Sequence, residues 1–261
     1  MKPRASHVSL WLPPLLAGIV LLAFWQGAIV IFAIPPYRLA APLDVLHALW
    51  REHAFLLPAA LHTGGSALVG FGAAVAGGAL VALILASSRW VKAALYPWVL
   101  ALQMVPVIVL IPIFVIWFGA GPLSITATAF IISFFPVVAS TTLGLASTDR
   151  GLLELFAVNH ATRAQEIFLL RLPAALPHFL TGVKIAATLA PIGAIAGEFL
   201  AGTEPNTLGY LIIMYRSMGK IPEVFAVALV TCLLGFLFVS AVQLLTWLLL
   251  RRWHESAVRP E

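Results

Sequence analysis

Two ionisable side chains, Lys184 and Glu198, stand inside a stretch from 178 to 202 that otherwise has no Lys, Arg, Asp or Glu. A charge in an apolar span is costly, and by default it marks a pathway or an interhelical partner. The two positions are 14 residues apart, about 21 Å along a helix, which is too far for an ion pair. One interpretation places Glu198 in the outer half of a polar route or at its gate, and the other has it tie its helix to a neighbouring helix end. Lys184 either snorkels to the inner surface or contacts a transported molecule.

Three prolines, Pro97, Pro106 and Pro112, interrupt a second apolar stretch at 94–119. Each proline removes a helical hydrogen bond and can bend the helix. A bent helix suits an element that lines a pathway, so Pro106 joins Lys184 and Glu198 as a candidate pathway or gate residue. A static kink is the alternative.

Residue patterns for other chemistry are missing from the sequence. There is no G-x-x-x-x-G-K-[ST] loop for nucleotide phosphates, so any ATP must be handled by a partner. His47, His53 and His62 lack metal-ligand spacing, and the single cysteine, Cys232, allows no internal disulfide. We therefore expect no catalytic residue, no metal site and no cofactor.

The composition identifies the environment of the chain. Of its 261 residues 62% are hydrophobic and 10% charged, and the mean hydropathy is +1.04. Soluble domains have about 25% charged residues, and a core of this size could not hide so much apolar surface. A soluble enzyme, a nucleic-acid-binding module and a disordered chain are thereby excluded, despite the net charge of +5. An integral membrane protein in contact with a lipid bilayer remains.

Six apolar stretches are long enough to cross about 30 Å of hydrocarbon as helices. We expect them at about 9–33, 63–88, 94–119, 123–146, 178–202 and 224–250. The third and fourth are separated by the turn signal Gly119-Ala120-Gly121-Pro122. A short interfacial helix is expected to start at Pro42-Leu43-Asp44, before the second span. The first is too long for a cleaved signal peptide.

Lys and Arg residues predict the orientation, because they concentrate in cytoplasmic segments. With the N-terminus inside, ten fall on the inner side and four on the outer side. The inner ones are Lys2, Arg4, Arg89, Lys92, Arg150, Arg163, Arg171, Arg251, Arg252 and Arg259, and the outer ones are Arg38, Arg51, Arg216 and Lys220. Both termini are therefore expected in the cytoplasm.

Small residues recur at four-residue spacing in two spans, which lets helix backbones approach closely in lipid. They are Gly70, Ala74 and Gly78 in the second span, and Gly193, Gly197 and Ala201 in the fifth. They mark either contacts that slide during a motion or ordinary packing.

The inner loop at 147–177 is the longest polar segment, and its charges alternate with large apolar residues. This pattern predicts two short amphipathic helices separated by a turn at Asn159-His160, because Asn and His tolerate positive φ. Pro177 is expected to start the next helix. On composition alone the loop could equally lie on the inner membrane surface.

This loop resembles the EAA loop of binding-protein-dependent ABC importer permeases. The resemblance is carried by Glu154, Ala157, His160 and Ala161, with Leu172-Pro173 further along the chain. The EAA loop has an acidic residue, small residues, a glycine, a small pair and a Leu-Pro pair, and His160 stands where the glycine is usual. The resemblance extends over most of the chain, as short sequence patches whose order and spacing are those of the family. These patches resemble the nitrate, sulfonate and taurine branch, which also includes permeases for pyrimidine-type vitamin precursors. The patches include Trp117-Phe118-Gly119, Phe134-Phe135-Pro136, Thr181 to Ala186, Gly197-Glu198-Phe199 and Leu208-Gly209-Tyr210.

The resemblance implies an all-α type I ABC importer permease, with one transmembrane domain over 1–261 and both termini cytoplasmic. It implies a homodimer in the bacterial inner membrane with two ATPase subunits inside and an extracytoplasmic solute-binding protein. The loop around 150–170 would be the coupling helix, with Ala157 and Ala161 seated against the ATPase, Glu154 and Arg163 at the rim, and His160 at the glycine position. The transported solute would be a small organic anion or nitrate, or a pyrimidine-type vitamin precursor.

Two other classes remain as alternatives. A membrane-embedded enzyme would need His, Asp or Glu clustered at one depth, whereas only Glu198 is deeply placed. A stand-alone secondary transporter usually has more spans and an internal repeat.

Overall fold

The computed structural model describes residues 7–201 and 205–250, and the described part is built from helices. In chain order these are α1 (His7–Ile31), α2 (Pro42–Arg51), α3 (His53–Ser87), α4 (Arg89–Gln103), α5 (Val107–Phe118), α6 (Pro122–Ala146), α7 (Arg150–Val158), α8 (Arg163–Gln165), α9 (Leu172–Ala201), α10 (Leu208–Ser217) and α11 (Ile221–Leu250), with a π-helical turn at Glu166–Arg171. The terminal cations used for orientation, Lys2, Arg4, Arg251, Arg252 and Arg259, and the end of the fifth span at Gly202 lie outside these residues.

Five of the helical segments are long and apolar enough to cross a bilayer. They are Leu12–Ile31, His53–Ser87, Pro122–Ala146, Arg163–Ala201 and Ile221–Leu248. The second begins ten residues before the predicted start at 63, because Pro58 is accommodated inside the helix. The interfacial helix is present as α2, with Asp44 in its first turn, where a negative charge suits the helix dipole.

The third span, predicted at 94–119 with three prolines that can bend it, consists of two helices. Helices α4 and α5 meet at a break of three residues and are bent by 96°. Pro106 has no N–H to donate and disfavours helical backbone at Val105, so α4 ends at Gln103 and α5 starts after Pro106. Pro97 and Pro112 lie inside their helices, and the bend is therefore at Pro106.

The bent pair accounts for one crossing, because α3 and α6 run in the same direction. A Cβ on Gly70 would meet Ala129, and one on Gly78 would meet Val137, so position numbers rise together along the two helices. Two parallel neighbours need a connection that returns the chain across the bundle, and α4 with α5 supplies it. The described helices therefore give six crossings when this pair is counted as one.

Helix α6 lies between α3 and α9 in the centre of the bundle. It packs antiparallel to α9, since Gly182 lies against Ser140 while Gly197 lies against Ile125. A Cβ on Gly193 would stand 2.9 Å from the Cα of Ala129, so only glycine allows this approach. The small-residue stripes expected from the sequence thus lie where helices pack closely, while sliding of these contacts stays a prediction.

The end of the bundle where α3 and α6 finish is named the coupling end, after the coupling helix expected from the sequence, because α7 and α8 of that loop lie there. Helices α2 and α10 lie at the opposite end, where they form a core with the first turns of α3 and α11. This core contains Ala40, Val45, Ala48, Leu56, Ala59, Leu208, Leu211, Tyr215, Ala226 and Val227.

Candidate functional site

The coupling segment, residues 147–171, begins with an exposed amphipathic helix. Asp149 caps α7, and its Oδ1 accepts a hydrogen bond of 3.1 Å from the N–H of Leu152. Glu154, Ala157 and His160 are exposed in the chain, whereas Ala161 is half-buried. The first helix of the loop and the turn at Asn159-His160 are where the sequence predicts them.

His160 ends α7 in a left-handed conformation with φ of 53°. Its N–H donates to the carbonyl of Ala157 at 3.1 Å, and the N–H of Ala161 donates to the carbonyl of Phe156 at 3.0 Å. These two bonds define a Schellman C-cap, in which the left-handed position is usually glycine. The geometry suits the glycine that the resemblance leads us to expect at this position, where this chain has His160.

A second cap restarts the helix immediately after this turn. Thr162 and Gln165 form a capping box, with reciprocal side-chain and backbone hydrogen bonds. The chain then enters the π-helical turn, where Nε of Arg171 donates to Oε1 of Glu166 at 2.6 Å. The predicted start of span five at Pro177 is wrong. Helix α9 already begins at Leu172, and Pro177 is accommodated within it.

Arg163 joins the coupling segment to the bundle. Its Nη1 donates to the backbone carbonyl of Ser87, at the end of α3, over 2.9 Å. This carbonyl belongs to the last turn of α3, where intrahelical donors are missing. The coupling segment therefore contacts α3 and also continues directly into α9.

Glu198 lies at the far end of α9, 3% exposed. Its Oε2 accepts a hydrogen bond of 2.8 Å from the N–H of Gly209, in the first turn of α10. A Cβ on Gly209 would fall 2.5 Å from the Cβ of Glu198, so the carboxylate reaches this N–H only because residue 209 is glycine. Oε1 has no hydrogen-bond partner among the described residues.

The first N–H groups of α10 are all satisfied around this carboxylate. Thr63 Oγ1 accepts from Leu208 at 3.0 Å, and Thr207 Oγ1 accepts from Tyr210 at 3.3 Å. Glu198 takes the remaining donor, and its negative charge suits the positive end of the helix dipole. This is a contact with a neighbouring helix end, as the second interpretation of Glu198 describes, while its role in transport stays a prediction.

Lys184 and Pro106, the other two candidate pathway residues, lie apart from Glu198 and from each other. Lys184 is half-buried in α9, and the hydroxyl of Thr188 donates to its backbone carbonyl at 3.2 Å. Pro106 is exposed at the α4–α5 break. In the described part of the chain, no hydrogen bond or ion pair joins either residue to Glu198, so the three candidates do not form one cluster.

A polar cluster that was not expected from the sequence lies at the end of the bundle opposite the coupling end. Arg51, at the end of α2, forms an ion pair with the buried Glu223 of α11. The hydroxyl of Tyr215 donates to Oε2 of Glu52 at 2.9 Å, and Arg51 also contacts Glu52. Burial, followed by this hydrogen bond to Glu52, raises the pKa of Tyr215. The partners are up to 172 positions apart, so no local pattern signals the cluster.

The comparisons with known proteins agree with this architecture. A family model described as "Binding-protein-dependent transport system inner membrane component" matches residues 74–254. The chain belongs to this family. It is a multi-pass membrane permease, and the expected permease fold and importer function are confirmed. Because family members are transport permeases, a membrane-embedded enzyme and a stand-alone secondary transporter are set aside.

Three relatives indicate the breadth of the family. The chain is 36% identical to the formylaminopyrimidine transport permease protein ThiX of Halalkalibacterium halodurans, over 92% of this chain and 95% of that protein. It is 34% identical to the riboflavin transport system permease protein RibX of Chloroflexus aurantiacus, over 91% and 88%. It is 28% identical to the taurine transport system permease protein TauC of Escherichia coli, over 74% and 72%. Family membership implies ATPase and binding-protein partners.

Proposed function

We propose that this permease imports a small heteroaromatic vitamin or vitamin precursor. The observation that carries this proposal is the pair of matches to permeases named for formylaminopyrimidine and riboflavin, at 36% and 34% identity over about nine-tenths of the chain. The permease named for taurine is 28% identical over 74% of the chain. A neutral ring system also suits spans in which Lys184 and Glu198 are the deeply placed charges.

The proposed importer contains two copies of this chain, two ATPase subunits and an extracytoplasmic solute-binding protein. The coupling end faces the cytoplasm, and α7 docks in a groove of the ATPase. Ala157 and Ala161 allow close seating, while Glu154 and Arg163 contact the groove at its rim. The exposed surface of α7 supports its docking on a partner. The contact between Arg163 and Ser87 supports a link from the coupling segment to α3. ATP binding would then move α7 as a rigid body together with α3 and α9.

Transport by the reconstituted system tests the solute class. Proteoliposomes would contain the full chain, its ATPase and its binding protein, with labelled formylaminopyrimidine, riboflavin, taurine or nitrate supplied at equal concentration. We expect ATP-dependent uptake of one of the two heteroaromatic compounds. Uptake of taurine or nitrate instead would contradict the solute class while leaving the importer function intact.

Substitution of Ala157 tests the coupling contact. Ala157→Asp would place a carboxylate in the contact with the ATPase, costing several kcal/mol if that contact excludes water. We expect loss of ATPase association or of transport-linked hydrolysis, with normal membrane insertion of the permease. Ala157→Ser, which is small and uncharged, is the matched control and should retain transport. Undiminished transport by the Asp variant would mean that the ATPase docks elsewhere.

A further inference from the structure

A cavity of about 330 Å³ opens at the coupling end, between the α3–α4 junction and the coupling segment. Four cationic side chains line it, whereas Glu166 is its one carboxylate. The cations are Arg89, Lys92, Arg163 and Arg171. Such an excess of positive charge around one cavity favours an anion.

Part of this positive charge is not neutralised by the protein. Glu166 is paired with Arg171, and Arg163 donates to a neutral carbonyl at Ser87. In the described residues, neither Arg89 nor Lys92 forms an ion pair. Both belong to the first turn of α4, where the helix dipole adds a further positive potential.

The buried wall of the cavity supplies an unused hydrogen-bonding group. Thr142 of α6 lines the cavity and is 5% exposed, yet its Oγ1 has no hydrogen-bond partner among the described residues. Buried hydroxyl groups are normally hydrogen-bonded, and leaving one without a partner costs about 1–3 kcal/mol. A phosphate oxygen in the cavity would accept a hydrogen bond from this hydroxyl.

The position of the cavity favours a lipid as the source of that phosphate. It lies where α3, α4 and α6 reach one end of the bundle, and its apolar wall includes Leu85, Leu145 and Ile167. Trp90 beside it is 79% exposed, as is typical of a tryptophan at a membrane interface. Basic pockets that lie between transmembrane helices on the cytoplasmic side of a membrane bind anionic lipid head groups.

We propose that this cavity binds the phosphate of an anionic phospholipid, which bridges α4 and α6 to the coupling segment. Arg89 and Lys92 hold the phosphate from the α4 side, Arg163 and Arg171 from the coupling segment, and Thr142 from α6. The bound head group stabilises the position of the coupling segment, and therefore of α7, relative to the bundle. This inference is independent of the transported solute, and its test requires no transport.

The thermal unfolding midpoint of the full chain in nanodiscs tests the site. Discs of phosphatidylglycerol would be compared with discs of phosphatidylcholine, and bound phosphatidylglycerol would be counted by native mass spectrometry. The wild-type chain should have a higher midpoint in the anionic discs. Arg89→Gln and Lys92→Gln should each lose most of that gain and bind phosphatidylglycerol about tenfold more weakly.

Two further variants separate a specific site from general surface charge. Arg150→Gln removes a charge at the same end without lining the cavity, so it should retain the gain. Thr142→Val should raise the midpoint in phosphatidylcholine, because it removes a buried hydroxyl that has no partner among the described residues, and it should lose part of the gain in phosphatidylglycerol. Equal gains in the wild-type chain and all variants would overturn the proposal.

Inorganic phosphate, added to phosphatidylcholine discs, distinguishes the source of the ligand. We expect it to leave the wild-type midpoint unchanged. A gain with inorganic phosphate that Arg89→Gln and Lys92→Gln abolish would overturn the assignment to a lipid and identify a soluble phosphate compound as the ligand.

Discussion

His160 stores backbone strain at the point where the coupling segment turns. A non-glycine residue in the left-handed region costs about 1–2 kcal/mol relative to its ordinary conformation. Gly219 provides an internal comparison, because it closes α10 with the same pair of hydrogen bonds and a φ of 69°. One C-cap therefore has the residue that the geometry favours, and the other does not.

Exchange of residues between these two caps is expected to change stability in opposite directions. His160→Gly should raise the thermal unfolding midpoint of the purified chain, whereas Gly219→His should lower it by a similar amount. Nothing lies within 4 Å of a Cβ on Gly219, so the added Cβ meets open space and the expected loss comes from backbone strain at positive φ. Equal midpoints for all three proteins would show that the turn relaxes without strain.

Substitution of Glu198 distinguishes a gate from a helix tie. Glu198→Gln keeps an acceptor for the N–H of Gly209, whereas Glu198→Ala leaves that buried donor unpaired, at about 1–3 kcal/mol. A gate or route carboxylate predicts that the Gln variant assembles normally but transports poorly. If the Gln variant transports normally and the Ala variant fails to assemble, Glu198 only ties α9 to α10. Assembly would be measured by size-exclusion chromatography and transport in proteoliposomes.

Sequence and structure agree unevenly at the scale of single residues. The turn at His160 follows from local preferences, because few residue types tolerate positive φ. The burial of Glu198 against α10 was one of two open interpretations, because a sequence shows an isolated carboxylate but not its partner. The contact of Arg163 with Ser87 spans 76 positions and has no local signal.

At the scale of elements, spans were predictable wherever hydropathy alone decides them. Helices α1, α6 and α11 agree with their predicted spans to within about three residues. The prolines of α4 and α5 showed that a bend was possible, but not that Pro106 rather than Pro97 or Pro112 carries it. Tertiary packing tolerates a proline inside a helix when neighbours satisfy the freed carbonyl, and such packing is invisible in the sequence.

Two glycines of α3 test whether the close contact between α3 and α6 is needed for the stability of the protein. A Cβ on Gly70 would lie 2.7 Å from the carbonyl oxygen of Thr126, while a Cβ on Gly72 has nothing within 4 Å. Gly70→Ala should therefore destabilise the protein by about 1–3 kcal/mol, as overpacking does. Gly72→Ala, on the same helix, should be neutral or slightly stabilising because alanine is the better helix former. Thermal unfolding of both variants in one lipid measures the difference, and equal effects would show that the helices separate readily.

At the scale of the whole molecule, the orientation in the membrane depends on cations at both ends of the sequence. Five of the ten Lys and Arg residues assigned to the inner side lie in residues 1–6 and 251–261, outside the described part of the chain. Without them the count is five against four, which is too even to decide the orientation. The connectivity supplies a second constraint, because six crossings place the first and last described helical ends, at residues 7 and 250, on the side of the coupling end.

Reporter fusions test the orientation and the number of crossings together. A reporter after Arg252 should be cytoplasmic, and reporters near Ala48, in α2, and after Ala120, between α5 and α6, should be external. The Ala120 fusion is decisive for α4 and α5, because the bent pair must cross the membrane for this turn to be outside. An internal Ala120 reporter together with an external Ala48 reporter would show that the pair re-enters on one side. An external reporter after Arg252 would instead contradict the even number of crossings, and the parallel arrangement of α3 and α6 would then need another connection.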